Sequence, residues 1–334
     1  MKAIAPGKLI LSGEHAVVYG RPALAMAVDR SAQCVITTQP LHQVSFDLPD
    51  LAESGSFTLR ALGELRTRVL RNYQQFLGGE LSIRDVLRKP IELFEFAFIN
   101  ILDGLHLKLE QGLSIRTQSN IPIGCGMGSS AATVLCELRA IGHYFRVEFR
   151  PDWVLKYSLE AERLRHGYAS GVDAHMSLHG GCALFRNGEA RTVPLPHVPL
   201  YLVHTGVPQT GTGEAVVEVR RRFRDAPIWS DFEAVTLAME QALRADDLAA
   251  IQYAVRENHR LLVRIGVVPA RVQRFVQEVE ARGGAAKVSG AGAVAGDAAG
   301  VVLVFAAAPP DALAAQYGYR VLPVRGDPLG ARIV

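Results

Sequence analysis

Apolar residues recur along this chain with two periods. Leu59, Leu62, Leu65, Val69 and Leu70 fall at helical spacing, as do Phe94, Phe98, Ile101, Leu102 and Leu105, so helices are expected over 58–78 and 86–109. Leu113-Ser114-Ile115-Arg116-Thr117 alternates like a strand. A further helix follows from Ala131, Val134, Leu135, Leu138, Ile141 and Phe145. Near the start, Leu9-Ile10-Leu11 and Ala16-Val17-Val18-Tyr19, divided by Gly13-Glu14-His15, read as two short strands around a polar corner.

The pattern breaks at Gly188, Pro194, Pro196 and Pro199, which makes this stretch the expected boundary between a domain of residues 1–195 and one of 196–334. A length of 334 residues agrees, because single cores stop growing near this size. Beyond the break a strand is expected over 200–204, then helices near 214–224, 231–244, 247–265 and 269–282. Gly283-Gly284 suits the left-handed C-cap of the last of these. A strand over 285–289 enters a small-residue loop, Gly290 to Gly296, and 301–305 reads as another strand.

Composition narrows the functional classes. With 36 Lys+Arg against 33 Asp+Glu the net charge is +3, and the basic residues are scattered, so the footprint of a nucleic-acid binder is missing. The densest run, Arg220-Arg221-Arg222 with Arg224, is flanked by Glu214, Glu218 and Asp225 and reads as a solvated helix face. Cys34, Cys125, Cys136 and Cys182 share no C-x-x-C spacing, which argues against a disulfide framework or zinc site and for reduced thiols in the cytoplasm. No export signal is recognised, and the longest apolar run, Ala298 to Ala308, is too short to span a bilayer.

The strongest chemical signal is Gly124-Cys125-Gly126-Met127-Gly128-Ser129-Ser130, leading into a helix. Glycines let the backbone approach a ligand, successive amides form an anion-binding concavity, and the helix dipole adds positive potential at the same point. Phosphate suits such a place. Ser129 and Ser130 either cap the helix or reach a magnesium ion carried by that phosphate. The loop matches neither a Walker A motif nor a dinucleotide fingerprint, which argues against an oxidoreductase. Glu162, on a helical pattern, and Asp173, on a corner made by Ser170-Gly171, suit metal holding and proton acceptance, although isolated carboxylates of this kind also serve as caps or surface charges. By its own context Lys8 is either a surface cation or one held in a site, and His15 either a structural histidine or a functional one. His175 and His179 stand at i, i+4, but the glycines around them argue against the continuous helix that metal binding would need, and no role is assigned to them.

Together these segments resemble the GHMP kinases, the family of galactokinase, homoserine kinase and the mevalonate and phosphomevalonate kinases. APGKLILSGEHAVVYG is similar to the opening of the mevalonate-phosphorylating members, IPIGCGMGSSAA to the family's phosphate loop, AERLRHGYASGVDAHMSLHGG to its segment of paired carboxylates, and ENHRLLVRIGV to a helix of its C-terminal domain. The resemblance implies an α+β fold of two domains, an N-terminal mixed-sheet domain and a ferredoxin-like C-terminal one, with the active site between them. It implies ATP and Mg2+, with mevalonate as acceptor and another small alcohol, phosphomevalonate or a sugar, as the alternative. A silent ligand sensor on the same fold is a third reading, against which the retention of a base argues. By the same resemblance Asp173 accepts the substrate proton beside Lys8; Ser130 and Glu162 hold magnesium; Gly124, Gly126, Gly128, Ser129 and Ser130 cradle phosphates; and Glu14, His15 and Ser170 line the substrate side. A homodimer is a family-level expectation. Two departures stand out: in KVSGAGAVAGDAAG, Ala293, Val294 and Ala295 replace glycines of the family's third motif, with Asp297 following, and Tyr168-Ala169 replaces a usual Asn-Pro.

Overall fold

The computed structural model describes residues 1–334. An apolar run opens the chain as β1 (Lys2–Ser12), which pairs antiparallel along most of its length with β2 (Ala23–Gln39). Between them the expected second short strand is a turn of 3-10 helix, Ala16–Tyr19. Gly13 and His15, at φ 92° and 57°, turn the chain too sharply for a strand, and the start of β2 already has partners on both edges. A hairpin, β3 (Val44–Leu48) and β4 (Glu53–Phe57), precedes α1 (Leu59–Leu77) and α2 (Glu92–Gly104). The second of these helices starts later than its apolar period suggests because Pro90 disfavours helical geometry at the residue before it.

β5 (Gly112–Ser119) leads through the glycine loop into α3 (Ser129–Tyr144), followed by α4 (Pro151–His166) and α5 (Val172–His179). Gly171 and Gly180 bound α5 rather than interrupting it, so His175 and His179 do lie on one continuous helix, contrary to expectation. β6 (Cys182–Arg186) and β7 (Glu189–Val193) form an unforeseen hairpin over Asn187-Gly188, both at positive φ. These strands make one sheet ordered β12-β1-β2-β5-β3-β4, with β6 and β7 joined to β2; all its pairings are antiparallel except β3 with β5. β12 (Arg332–Ile333) is the chain's end, returning to pair with Ala3 and Ile4.

The second sheet contains β8 (Leu200–Gly206), β9 (Ala285–Val288), β10 (Gly300–Phe305) and β11 (Arg320–Pro323), in the order β11-β8-β10-β9. Numbered within this sheet the order is 4-1-3-2, as in ferredoxin-like folds, and every pairing is antiparallel. Its helices are α6 (Thr212–Phe223), α7 (Ile228–Arg244), α8 (Leu248–Arg264), α9 (Ala270–Ala281) and the short α10 (Asp311–Gln316). The larger apolar core includes Leu9 and Phe98 of the first half together with Met239, Val301 and Phe305 of the second, so burial continues from one sheet to the other. That continuity keeps the facing loops of the two sheets in place.

Candidate functional site

β1 meets the glycine loop where its register with β2 shifts, between Pro6 and Gly7. Gly7 is needed there: a Cβ would lie 2.9 Å from the Met127 carbonyl oxygen. The Lys8 N–H donates to that same carbonyl at 2.9 Å. Its side chain is only 3% exposed, and Nζ donates to the Gly126 carbonyl at 3.0 Å while lying 3.1 Å from Asp173 Oδ1. The loop packs over the stem so closely that a Cβ at Gly128 would touch Lys8 Cγ at 3.1 Å. Tertiary contact therefore holds inside the protein a lysine that local context by itself would send to the surface.

Gly124, Gly126 and Gly128 sit at φ 73°, 78° and 69°, so every second residue of the loop is left-handed. Alternation of this kind turns successive N–H groups inward and makes the concavity an anion seeks. Gly128 is the N-cap of α3, and neither serine hydroxyl caps the helix. Instead the Ser129 and Ser130 carbonyls accept bonds from Thr133 Oγ1, each at 2.9 Å, and Ser130 Oγ is buried without a partner.

Glu162, on α4, is 4% exposed, and its Oε1 also lacks a partner. Burial pushes its carboxyl well above the ordinary range; the Asp173 charge adds to this, and Lys8 opposes it. Asp173 occupies the first turn of α5 rather than the corner itself, and its side chain is 32% exposed. Ser170 Oγ accepts the Val172 N–H at 3.4 Å, closing the turn that aims α5, and Ser177 Oγ donates to the Pro6 carbonyl at 2.6 Å, tying α5 to β1. His166, at the end of α4, lines the same cleft; its pKa is lowered to about 4 by burial first and by Arg165 next.

His15 is 5% exposed and its Nε2 lies 2.9 Å from the Ala291 carbonyl, so this nitrogen carries the proton and Nδ1, buried without a partner, is left as an acceptor. Burial lowers its pKa to about 4 despite that bond. Glu14 borders the cleft, yet both its oxygens are engaged in the wall: one pairs with Lys287 and the other accepts from Asn258 Nδ2 at 3.0 Å. Asn258 Oδ1 accepts from Ser12 Oγ at 2.9 Å, and Thr236 bonds Ser12 at 2.8 Å. This network joins β1, α7, α8 and β9. Of its members sequence reasoning named only Glu14, and for the substrate side rather than for this network, although a lysine in the otherwise apolar strand Ala285–Val288 was a visible cue. The altered third loop stacks on the first: a Cβ at Gly290 would lie 2.9 Å from Gly126 Cα, and Ala293 N–H donates to Val267 O at 2.9 Å.

These groups border one cavity of about 380 Å³, which includes Lys8, His15, Gly124 to Ser130, Glu162, Ser170 and Asp173. No cluster of three His, Cys, Asp or Glu side chains is present to cage a metal ion. Two buried, partnerless oxygens, on Ser130 and Glu162, nevertheless fit a hard divalent cation that takes its remaining ligands from phosphate and water.

An anion nest, a buried lysine and two carboxylates on a two-sheet scaffold define a phosphate-handling enzyme of the small-molecule kinase class, and sequence comparison agrees. The family description "GHMP kinases N terminal domain" matches residues 92–181. Residues 92–181 therefore carry a GHMP kinase N-terminal domain. Over most of its length the chain is similar to mevalonate kinases: that of Thermococcus sibiricus is 27% identical over 87% of this chain and 86% of its own length, and that of Mus musculus 28% over 90% and 85%. The crystal structure of the Methanococcus jannaschii mevalonate kinase superposes with a TM-score of 0.79 at 25% identity, covering 98% of each chain.

Proposed function

We propose that the protein transfers the γ-phosphoryl group of ATP to the 5-hydroxyl of mevalonate, giving 5-phosphomevalonate. The carrying observation is the Lys8 ammonium held between the Gly126 carbonyl and the Asp173 carboxylate at the mouth of the glycine loop. Similarity to mevalonate kinases over most of the chain supports the choice of acceptor. Residues 1–195 and 196–334 act in this reading as two lobes around the cleft.

Phosphoryl transfer asks a protein mainly for in-line positioning and charge neutralisation. The left-handed glycines hold the phosphate chain with their amides. Ser130 and Glu162, whose buried oxygens have no partner within the chain, would hold Mg2+, and its charge would offset that of the phosphates. Lys8 alone cannot ionise the alcohol: a unit charge about 4 Å away at an effective dielectric near 20 contributes about 4 kcal/mol, roughly three pKa units, on a group that starts near the 15.7 of water. Asp173 therefore takes the proton as the oxygen–phosphorus bond forms, and Lys8 stabilises the charge developing on oxygen. His15, neutral and with Nδ1 free to accept, orients a second hydroxyl of the substrate.

The test is Asp173→Asn, followed by ADP release. ATP binding should persist while turnover falls by about 10²–10⁴; near-normal turnover refutes the assignment. Running the wild-type assay on mevalonate, phosphomevalonate, galactose and homoserine identifies the acceptor, and silence on all four with ATP bound favours a sensor.

A further inference from the structure

The face of α5 turned away from the cleft carries two imidazoles that the phosphoryl-transfer reading does not use. At about 100° per residue, Asp173 and Ser177 share a side of the helix, and both reach β1, at Lys8 and Pro6. His175 lies about 200° around from Asp173, and His179 the same from Ser177. The two rings lie one turn apart and tilted to each other, with centroids 4.4 Å from each other and planes inclined at 42°, and Phe185 of β6 flanks His175 at 5.6 Å. His175 is half-buried and His179 exposed.

We propose that His175 and His179 form a binding site for a borderline divalent transition-metal ion of the Ni2+, Cu2+ and Zn2+ class, separate from the magnesium-holding side of the cleft. Histidines at i, i+4 on one helical face present converging nitrogens to a single ion, each at about 2.0–2.1 Å for zinc. Burial, then the neighbouring His179, lowers the pKa of His175 to about 4, and burial lowers that of His179, so the surroundings of both rings favour the neutral form. Their lone pairs are available without displacing a proton, as metal binding requires. With no third protein ligand in reach, water fills the other coordination positions and binding is reversible. Imidazole suits these ions, whereas Mg2+ prefers oxygen, so the ion needed in the cleft does not compete. Because the pair converges only while α5 is helical, bound metal also stabilises the folded chain.

The experiment uses the full-length protein without a polyhistidine tag, titrated with NiCl2 by calorimetry and followed by its thermal midpoint. The wild type should bind one Ni2+ with a raised midpoint, and excess Mg2+ should not displace it. His179→Ala, an exposed position, should weaken Ni2+ binding about tenfold or more and abolish the midpoint shift. The variant should keep its metal-free midpoint and its magnesium-supported ADP release. Absence of Ni2+ binding in the wild type, equal binding in the variant, or displacement by Mg2+ would each overturn the proposal.

Discussion

Two lysine–carboxylate pairs involve the same stretch of β1 and the turn that follows it. Lys8 and Asp173 meet at the cleft, with Asp173 a third exposed and partnerless oxygens on Glu162 and Ser130 in the same cavity wall. Lys287 and Glu14 meet inside the protein, 0% and 1% exposed, where Lys287 also donates to the Ile10 carbonyl at 3.0 Å and Asn258 completes Glu14. The chemistry of the two pairs is alike; the completeness of their surroundings is not. A pair whose every atom is satisfied has nothing to offer a ligand and acts as a fastener between sheets. A pair left open beside orphaned oxygens has capacity for charge that the chain itself does not supply.

Breaking each pair should therefore give opposite phenotypes. The largest effect belongs to Asp173→Asn: turnover lost by about 10²–10⁴, with a smaller loss of stability than breaking the inner pair gives, since Asp173 is a third exposed although Lys8 is buried. Lys287→Met should do the reverse, lowering unfolding free energy by about 3–5 kcal/mol through an uncompensated buried Glu14, with a smaller change in the kcat of whatever protein remains folded. Equal loss of stability in both variants would remove the distinction.

Acid sharpens the comparison further. His15 and His259 both have folded-state pKa values lowered to about 4 from 6.5, chiefly by burial. Below pH 6.5 the unfolded chain binds protons that the folded chain refuses, so stability should fall as pH drops from about 6.5 towards 4. The expected loss is about 2 kcal/mol per histidine between pH 7 and 5, read from denaturant unfolding at the two values. Glu95, whose pKa burial raises to about 7, acts in the opposite sense over this range, so the histidine contribution is read as the difference between the wild type and His259→Gln; no difference would mean that the wall around that ring opens to water. The smallest effect is assigned to Ser130→Ala, which removes one oxygen from the open side and should raise the magnesium concentration for half-maximal activity about tenfold, with stability unaltered.

Much of this was legible in the chain. Helical periodicity located α1, α3 and the long helices of the second half to within a few residues, because each buries one continuous stripe. Alternating glycines announced the loop, because only glycine enters left-handed geometry three times in five residues without strain. The β6–β7 hairpin was overlooked although Asn187-Gly188 marks such a turn, its strands being short and β7 mostly exposed. Asp173 was recognisable as a candidate, but its position inside the first turn of α5 depends on Gly171 and on the Ser177 bond to Pro6, a contact spanning most of the first half of the chain.

Residue order alone determined where helices and strands can form and which loop can receive phosphate, since periodicity and glycine conformation are local properties. The fates of Lys8, Lys287, Glu14 and the two histidines of α5 were decided only on folding. Burial, pairing and pKa depend on which distant groups arrive beside a side chain, and a lysine behind Pro6-Gly7 carries no local mark of the carboxylate 165 positions further along that meets it.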